Sequence, residues 1–161
     1  FPAIIKINEP ITYVAESIKL IEELRNIRGL FSIPPNETLN IIISTDEERM
    51  KFIDKNTPLF QKLAKVNSVV FGTKPKTSSA TIVLPKIVCY IILKGIEIDK
   101  EKKRLENEIV FLTKRIDELK NRLNNPKYLD QVKPELREKE EQRLVESLTR
   151  LEYIKKAIEN L

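Results

Sequence analysis

Histidine and tryptophan are absent from this chain of 161 residues, cysteine occurs once, at Cys89, and glycine three times. Without histidine there can be no histidine–cysteine zinc site and no serine–histidine or cysteine–histidine nucleophile pair. A lone cysteine rules out an internal disulfide and fits a reducing, cytoplasmic setting. So few glycines leave no glycine-rich loop to cradle phosphates, which argues against a dinucleotide or P-loop nucleotide site. No apolar run reaches the roughly 18 residues that a membrane span needs. The chain opens on Phe1-Pro2 with no readable signal peptide, and it is expected to be a piece of something longer.

What the chain does have is charge. Lysine and arginine number 29 against 24 acidic residues, a formal net charge of +5 with a pI near 9.2. This permits a polyanionic partner without requiring one. Most of the charge lies in the last third, with both signs interleaved around a regular apolar stripe. Leu105, Ile109, Leu112, Ile116, Leu119 and Leu123 recur at alternating four- and three-residue steps, the spacing of a coiled-coil seam. A second stripe, Leu144, Leu148, Leu151, Ile154, Ile158 and Leu161, follows breaks at Asn124-Asn125-Pro126 and Lys133-Pro134. The breaks are too short to send the second helix anywhere but back along the first. Residues 99–161 are therefore expected to form a projecting antiparallel hairpin about 35–40 Å long, from roughly 25 residues per helix at 1.5 Å each. Asp99 is the expected N-cap of its first helix.

Two segments precede the hairpin. The first is a helix from about Pro10 to Phe31, with Pro10 in the first turn and Pro34-Pro35 beyond its end. It carries one stripe through Leu20, Leu24, Ile27 and Phe31. A second stripe runs through Val14, Ile18 and Ile21 and meets Arg25 and Arg28. A helix with two apolar stripes needs more partners than this chain supplies, so Val14, Ile18 and Ile21 are expected to be exposed, or covered by Phe1 to Ile7 or by a neighbouring molecule. The second segment, to about Ile98, reads as a compact α/β unit. Leu39 to Ile43, Val69 to Phe71, Ala80 to Leu84 and Ile87 to Leu93 have the β-branched character of strands. Asp46 caps a helix over Glu47 to Ile53, and Leu59, Phe60, Leu63 and Val66 follow the helical spacing after Pro58. The last two strands are expected to join across Pro85-Lys86. The fold class is thus α+β, a small α/β unit followed by a long antiparallel two-helix coiled-coil hairpin.

In order, Arg25-Asn26-Ile27-Arg28, Ile33-Pro34-Pro35, Leu63-Ala64-Lys65-Val66, Val70-Phe71-Gly72 and Tyr90 to Asp99 resemble the C-terminal region of valyl-tRNA synthetase. Glu101-Lys102-Lys103-Arg104-Leu105, Leu123 to Tyr128 and Lys133-Pro134-Glu135 continue the resemblance, which covers essentially the whole chain. The chain departs from the family pattern at Pro85-Lys86, where a glycine turn is expected. The resemblance implies three parts. Residues 1–35 would be the last helix of an anticodon-binding helical bundle, 36–98 a small α/β linker domain, and 99–161 a coiled-coil arm against the outer corner of tRNA. It implies a parent enzyme that attaches valine to its tRNA with ATP and magnesium. Nothing in these residues resembles the catalytic or editing domains, so the chain alone is expected to be inactive and to hold no cofactor. The implied partner is a valine-accepting tRNA, the parent a cytoplasmic monomer with no membrane contact. The piece itself is expected to self-associate through its uncovered first helix.

Candidate tRNA-binding residues lie off the seam. Lys100, Lys102, Lys103 and Arg104 form a basic run at the arm's root. Lys114, Arg115, Lys120, Arg122 and Lys127 continue it outward, and Arg137, Lys139 and Arg143 lie on the return helix. Tyr128, at the turn, either stacks on an unpaired base or closes the hairpin over Leu123. Arg25 and Arg28 either pair with carboxylates of absent helices or approach the tRNA. Cys89 reads as a small core residue. The pairs Glu22-Glu23 and Glu140-Glu141 are expected on exposed faces, with no catalytic part. Two other readings use the same heptads: a coiled-coil protein-interaction module that binds no RNA, and an RNA-binding hairpin like that of seryl-tRNA synthetase, which is N-terminal where this one follows an α/β unit.

Overall fold

The computed structural model describes residues 2–94 and 98–161, with side chains from residue 11 onward. It is a mixed α+β structure, with a four-stranded sheet and six helices among the described residues. Two compact units divide the chain, one made of residues 1–96 with 160–161 and the other of residues 97–159.

In the first unit, helix α1 (Pro2–Leu30) is followed by strand β1 (Leu39–Thr45), helices α2 (Glu47–Lys55) and α3 (Thr57–Ala64), and strands β2 (Val66–Phe71), β3 (Ser79–Leu84) and β4 (Ile87–Ile92). The sheet order is β2-β1-β4-β3. β1 and β2 are parallel, with α2 and α3 forming the crossover between them, while β4 runs antiparallel to both β1 and β3. Register places Ile41 opposite Ile91 and Ile43 opposite Cys89, with Ala80 and Ile82 continuing the rows from β3. All six are buried. The period of two along each strand turns these side chains to one face, where Phe60, Leu20, Leu24 and Leu30 from α3 and α1 join them in the core. Burial of Cys89 among them pushes its thiol pKa up to about 12, so it stays protonated and acts as a small apolar filler.

Local chemistry explains the joints. The Asp46 carboxylate accepts the backbone N–H of Arg49 at 3.0 Å and starts α2 as anticipated. Pro85-Lys86 makes a two-residue turn between Leu84 and Ile87, which face each other in the register. Among the described residues only Ser32 and Lys65 have positive φ outside glycine, so this turn uses negative φ at both central residues, which excludes a type II turn and suits the fixed φ of proline. The glycine of the family pattern is not needed there. Arg49 ties α2 to α1: its Nε donates to Glu16 at 2.7 Å, its Nη1 to Asp46 at 2.6 Å, and its guanidinium lies 4.9 Å from the centre of the Tyr13 ring.

Four expectations need correction here, the first being Val66, which begins β2 and pairs with Leu39 instead of continuing the helix after Pro58. Helix α1 begins at Pro2 rather than Pro10, because a single proline removes one helical N–H and leaves the bonds on either side of it available. Ile21 is buried, in the stripe of Ser17, Leu20 and Leu24 that faces the sheet, whereas Val14 and Ile18 are exposed, along with Ile11. In the second unit, α4 starts at Ile98, so Asp99 lies within its first turn rather than capping it. There it still favours the positive end of the helix dipole.

Candidate nucleic-acid interface

The second unit consists of α4 (Ile98–Leu123), the short α5 (Pro126–Gln131) and α6 (Pro134–Glu159). Leu105, Leu112, Ile116 and Leu119 are buried on α4, and Ile109 and Leu123 half-buried. On α6 the buried positions are Glu140, Ser147, Ile154 and Ala157, with Leu144, Leu151 and Ile158 half-buried. The inward stripe of α6 is thus 140, 144, 147, 151, 154 and 158. Leu148 falls outside it and is exposed, contrary to the sequence reading. A serine and a glutamate occupy two of the inward positions, so apolar spacing alone slides the stripe by one residue at Leu148.

Glu140 is the larger correction. Its side chain is only 5% exposed, although an exposed position was expected. Three groups meet there. Arg122 Nη1 of α4 lies 3.0 Å from Glu140 Oε1, and the Tyr128 hydroxyl of α5 donates to Oε2 at 2.6 Å. A buried carboxylate needs such partners, since desolvation without them costs several kcal/mol. Tyr128 therefore closes the turn between the helices through Glu140. Farther along, Arg150 Nε of α6 donates to Glu108 Oε1 of α4 at 2.9 Å. The Asn125 side chain starts α5 by accepting the backbone N–H of Lys127 at 3.1 Å.

The hydrogen bond to Glu140 raises the Tyr128 pKa above its usual 10.0, with burial and the glutamate charge adding and Arg122 opposing. The folded unit then holds the phenolic proton more tightly than the unfolded chain. This contribution to stability is complete below pH 10 and is lost as pH rises through the folded value. A tyrosinate absorbance titration should contain a component above pH 10 that disappears in Tyr128→Phe. A lost component centred at or below pH 10 would contradict the hydrogen bond.

The candidate cations separate by what they already hold. Arg104 Nε lies 2.8 Å from Glu101 and its Nη1 3.7 Å from Glu108. Arg122 is held by Glu140, and Arg137 Nε lies 3.1 Å from Glu141. Lys102, Lys103, Lys114, Arg115, Lys120, Lys127, Lys139 and Arg143 are exposed and make no ion pair with a described residue. Lys100 is exposed as well. Lys114, Arg115, Arg122 and Arg143 come together around one shallow groove on α4 and α6, which also holds Phe111 and Glu118. The groove brings both helices' cations to one place, and Phe111 is a member that the sequence reading missed. The signal was there: an aromatic off the seam, three and four residues before a lysine and an arginine.

In the first unit Arg25 is exposed and Arg28 half-buried. Arg28 Nη2 donates to the Pro34 carbonyl at 2.7 Å, so it braces the end of α1, and both arginines border a second shallow groove with Lys65. Among the described residues no group of three or more histidine, cysteine or carboxylate side chains is placed to hold a metal ion, and no helix is long and apolar enough to cross a membrane.

The second unit carries both signs of charge with one mainly basic groove, and residues 97–161 match a family model of synthetase tRNA-binding arms. The matching family model is that of the valyl tRNA synthetase tRNA binding arm. The chain as a whole is similar to the valine–tRNA ligase of Bartonella henselae, 30% identical over 146 residues that make up 89% of this chain and 16% of the relative. The Bartonella quintana enzyme is 28% identical over the same share of each. That of Sphingopyxis alaskensis is 32% identical over 123 residues, 76% of this chain and 13% of the relative. The chain thus spans about 16% of the length of relatives it matches.

Proposed function

We propose that this chain is the tRNA-binding C-terminal part of an enzyme that attaches valine to its tRNA. The observation that carries the reading is the family match over residues 97–161; the cluster of unpaired cations on the same residues supports it. Residues 99–161 act as a long antiparallel two-helix coiled-coil arm. The ion pairs Glu108–Arg150 and Arg122–Glu140 support this, since positions later in α4 meet positions earlier in α6. The arm's off-seam cations hold the backbone of a valine-accepting tRNA at its outer corner, by phosphate contacts that position the RNA.

Residues 36–98 serve as the α/β linker, and residues 1–35 continue a helical bundle that binds the anticodon. Exposed Ile11, Val14 and Ile18 favour that continuation, because an apolar face of this kind seeks a cover. In its absence the chain self-associates through this face, while the parent is a monomer of the cytoplasm. ATP and magnesium act in the parent's catalytic domain, and the chain alone holds neither.

Competition binding tests the reading. A labelled valine-accepting tRNA should be retained by the 161-residue chain and displaced far better by unlabelled tRNA than by duplex DNA of equal phosphate content. Equal displacement by both would leave only non-specific attraction, and no retention at low salt would favour a protein-interaction coiled coil.

A further inference from the structure

The exposed apolar residues of the second unit are not alike. Val110, Phe111, Leu136, Val145 and Leu148 all face solvent. Of these, Phe111 alone is aromatic, and it is 61% exposed. A phenylalanine left largely in water forgoes the favourable burial of its ring. Its surroundings separate it from the neighbouring Val110. The groove beside Val110 contains Asp117 and Glu118 with one lysine, Lys114, an arrangement that repels phosphate. The groove beside Phe111 contains Lys114, Arg115, Arg122 and Arg143 with one carboxylate, Glu118. Arg122 is neutralised by Glu140, which still leaves three unpaired cations to one acid around an aromatic ring. Cations that track a phosphate backbone, combined with an exposed aromatic side chain, are the two parts of a stacking platform for unpaired bases.

We infer that Phe111 is the base-stacking residue of the arm: an unstacked nucleobase of the bound RNA lies on its ring, while Lys114, Arg115 and Arg143 take the adjoining phosphates. The inference rests on the tRNA-binding reading above and adds to it a named contact of a different physical kind. Glu118 is the groove's one anionic acceptor, suited to an exocyclic amino group of the base and not to a phosphate. The stacking contact is apolar and releases no counterions, so its loss must appear in affinity and not in salt dependence. The cations must show the reverse pattern.

The test is filter binding of an unmodified valine-accepting tRNA transcript to the 161-residue chain across a salt series. Four proteins are compared: wild type, Phe111→Leu, Phe111→Trp and Arg115→Gln. Phe111→Leu should weaken binding about 5- to 150-fold, the range set by one base–aromatic stack, with an unchanged slope of log affinity against log salt. Phe111→Trp should retain or improve affinity. Arg115→Gln should flatten the slope by roughly 0.7–0.9. Circular dichroism should not distinguish the variants, since both side chains lie outside the helix–helix seam.

If Phe111→Leu binds like wild type while Arg115→Gln flattens the slope, the stacking role is overturned and the tRNA reading stands. If Phe111→Leu instead abolishes a self-association seen in sedimentation and leaves RNA affinity intact, the ring covers a second copy of the chain, which also overturns the inference. A wild-type chain that fails to bind the transcript overturns both.

Discussion

Reversing the charge at Lys114, Arg115 and Arg143 together should flatten the salt dependence of tRNA binding by about 2–3, because each phosphate contact contributes roughly 0.7–0.9 to the slope. These three are the exposed members of one groove that no described carboxylate pairs. Arg104, Arg137 and Arg150 are a different case. Each already lies against a glutamate of the same unit, so a phosphate would first have to displace that partner. Reversal at those positions should change the slope less and the helix unit's stability slightly more, within the ~1 kcal/mol typical of exposed pairs. On the proposed function, the groove variant of the parent enzyme should chiefly raise the apparent KM for tRNA and leave valine activation unchanged, because the role proposed for these residues is binding and not chemistry. Loss of valine activation in a properly folded triple variant would contradict that division of labour.

Cutting Ile116 to alanine should have the largest effect on stability. Ile116 is 4% exposed, in the C-terminal half of α4 and in the seam, and truncation of a buried isoleucine costs about 2–5 kcal/mol. For a unit of this size each kcal/mol corresponds to roughly 4–8 °C. The helical melting transition of the second unit should thus fall by at least about 8 °C, and tRNA affinity should fall with it as the groove's two sides separate. The sheet unit has its own core and should melt where it did, so thermal unfolding should split into two steps. A single transition shared by wild type and variant would mean that the helices do not depend on this seam.

The parts of this structure that were legible in the sequence are those where one physical signal dominates. β-branched runs such as Leu39–Ile43 and Ile87–Ile92 can do little but form buried strands, and Asp46 before Glu47-Glu48 is an unmistakable helix start. The stripe of α4 was legible because each of its six positions carries leucine or isoleucine. The stripe of α6 was not, because Glu140 and Ser147 stand at inward positions and apolar Leu148 beside them imitates the pattern. Glu140 could not be assigned a buried place without knowing that Arg122 and Tyr128, 18 and 12 residues away in sequence, come within 3.0 Å and 2.6 Å of it. On α1, Ile21 and Ile18 are equally apolar, and only the position of the sheet decides which of them is covered. The candidate interface was legible as a list of cations and not as a place. Charge along a helix face says nothing of which arginines have partners across the seam, and that sorting singles out Lys114, Arg115 and Arg143.

The salt dependence of tRNA affinity for the 161-residue chain is the most direct measurement of its proposed role. With three to four phosphates engaged by the groove, log affinity should fall linearly with log salt at a slope of roughly −2 to −4. A slope near zero, or affinity no greater for tRNA than for duplex DNA at each salt concentration, would contradict an arm that holds tRNA by its phosphate backbone.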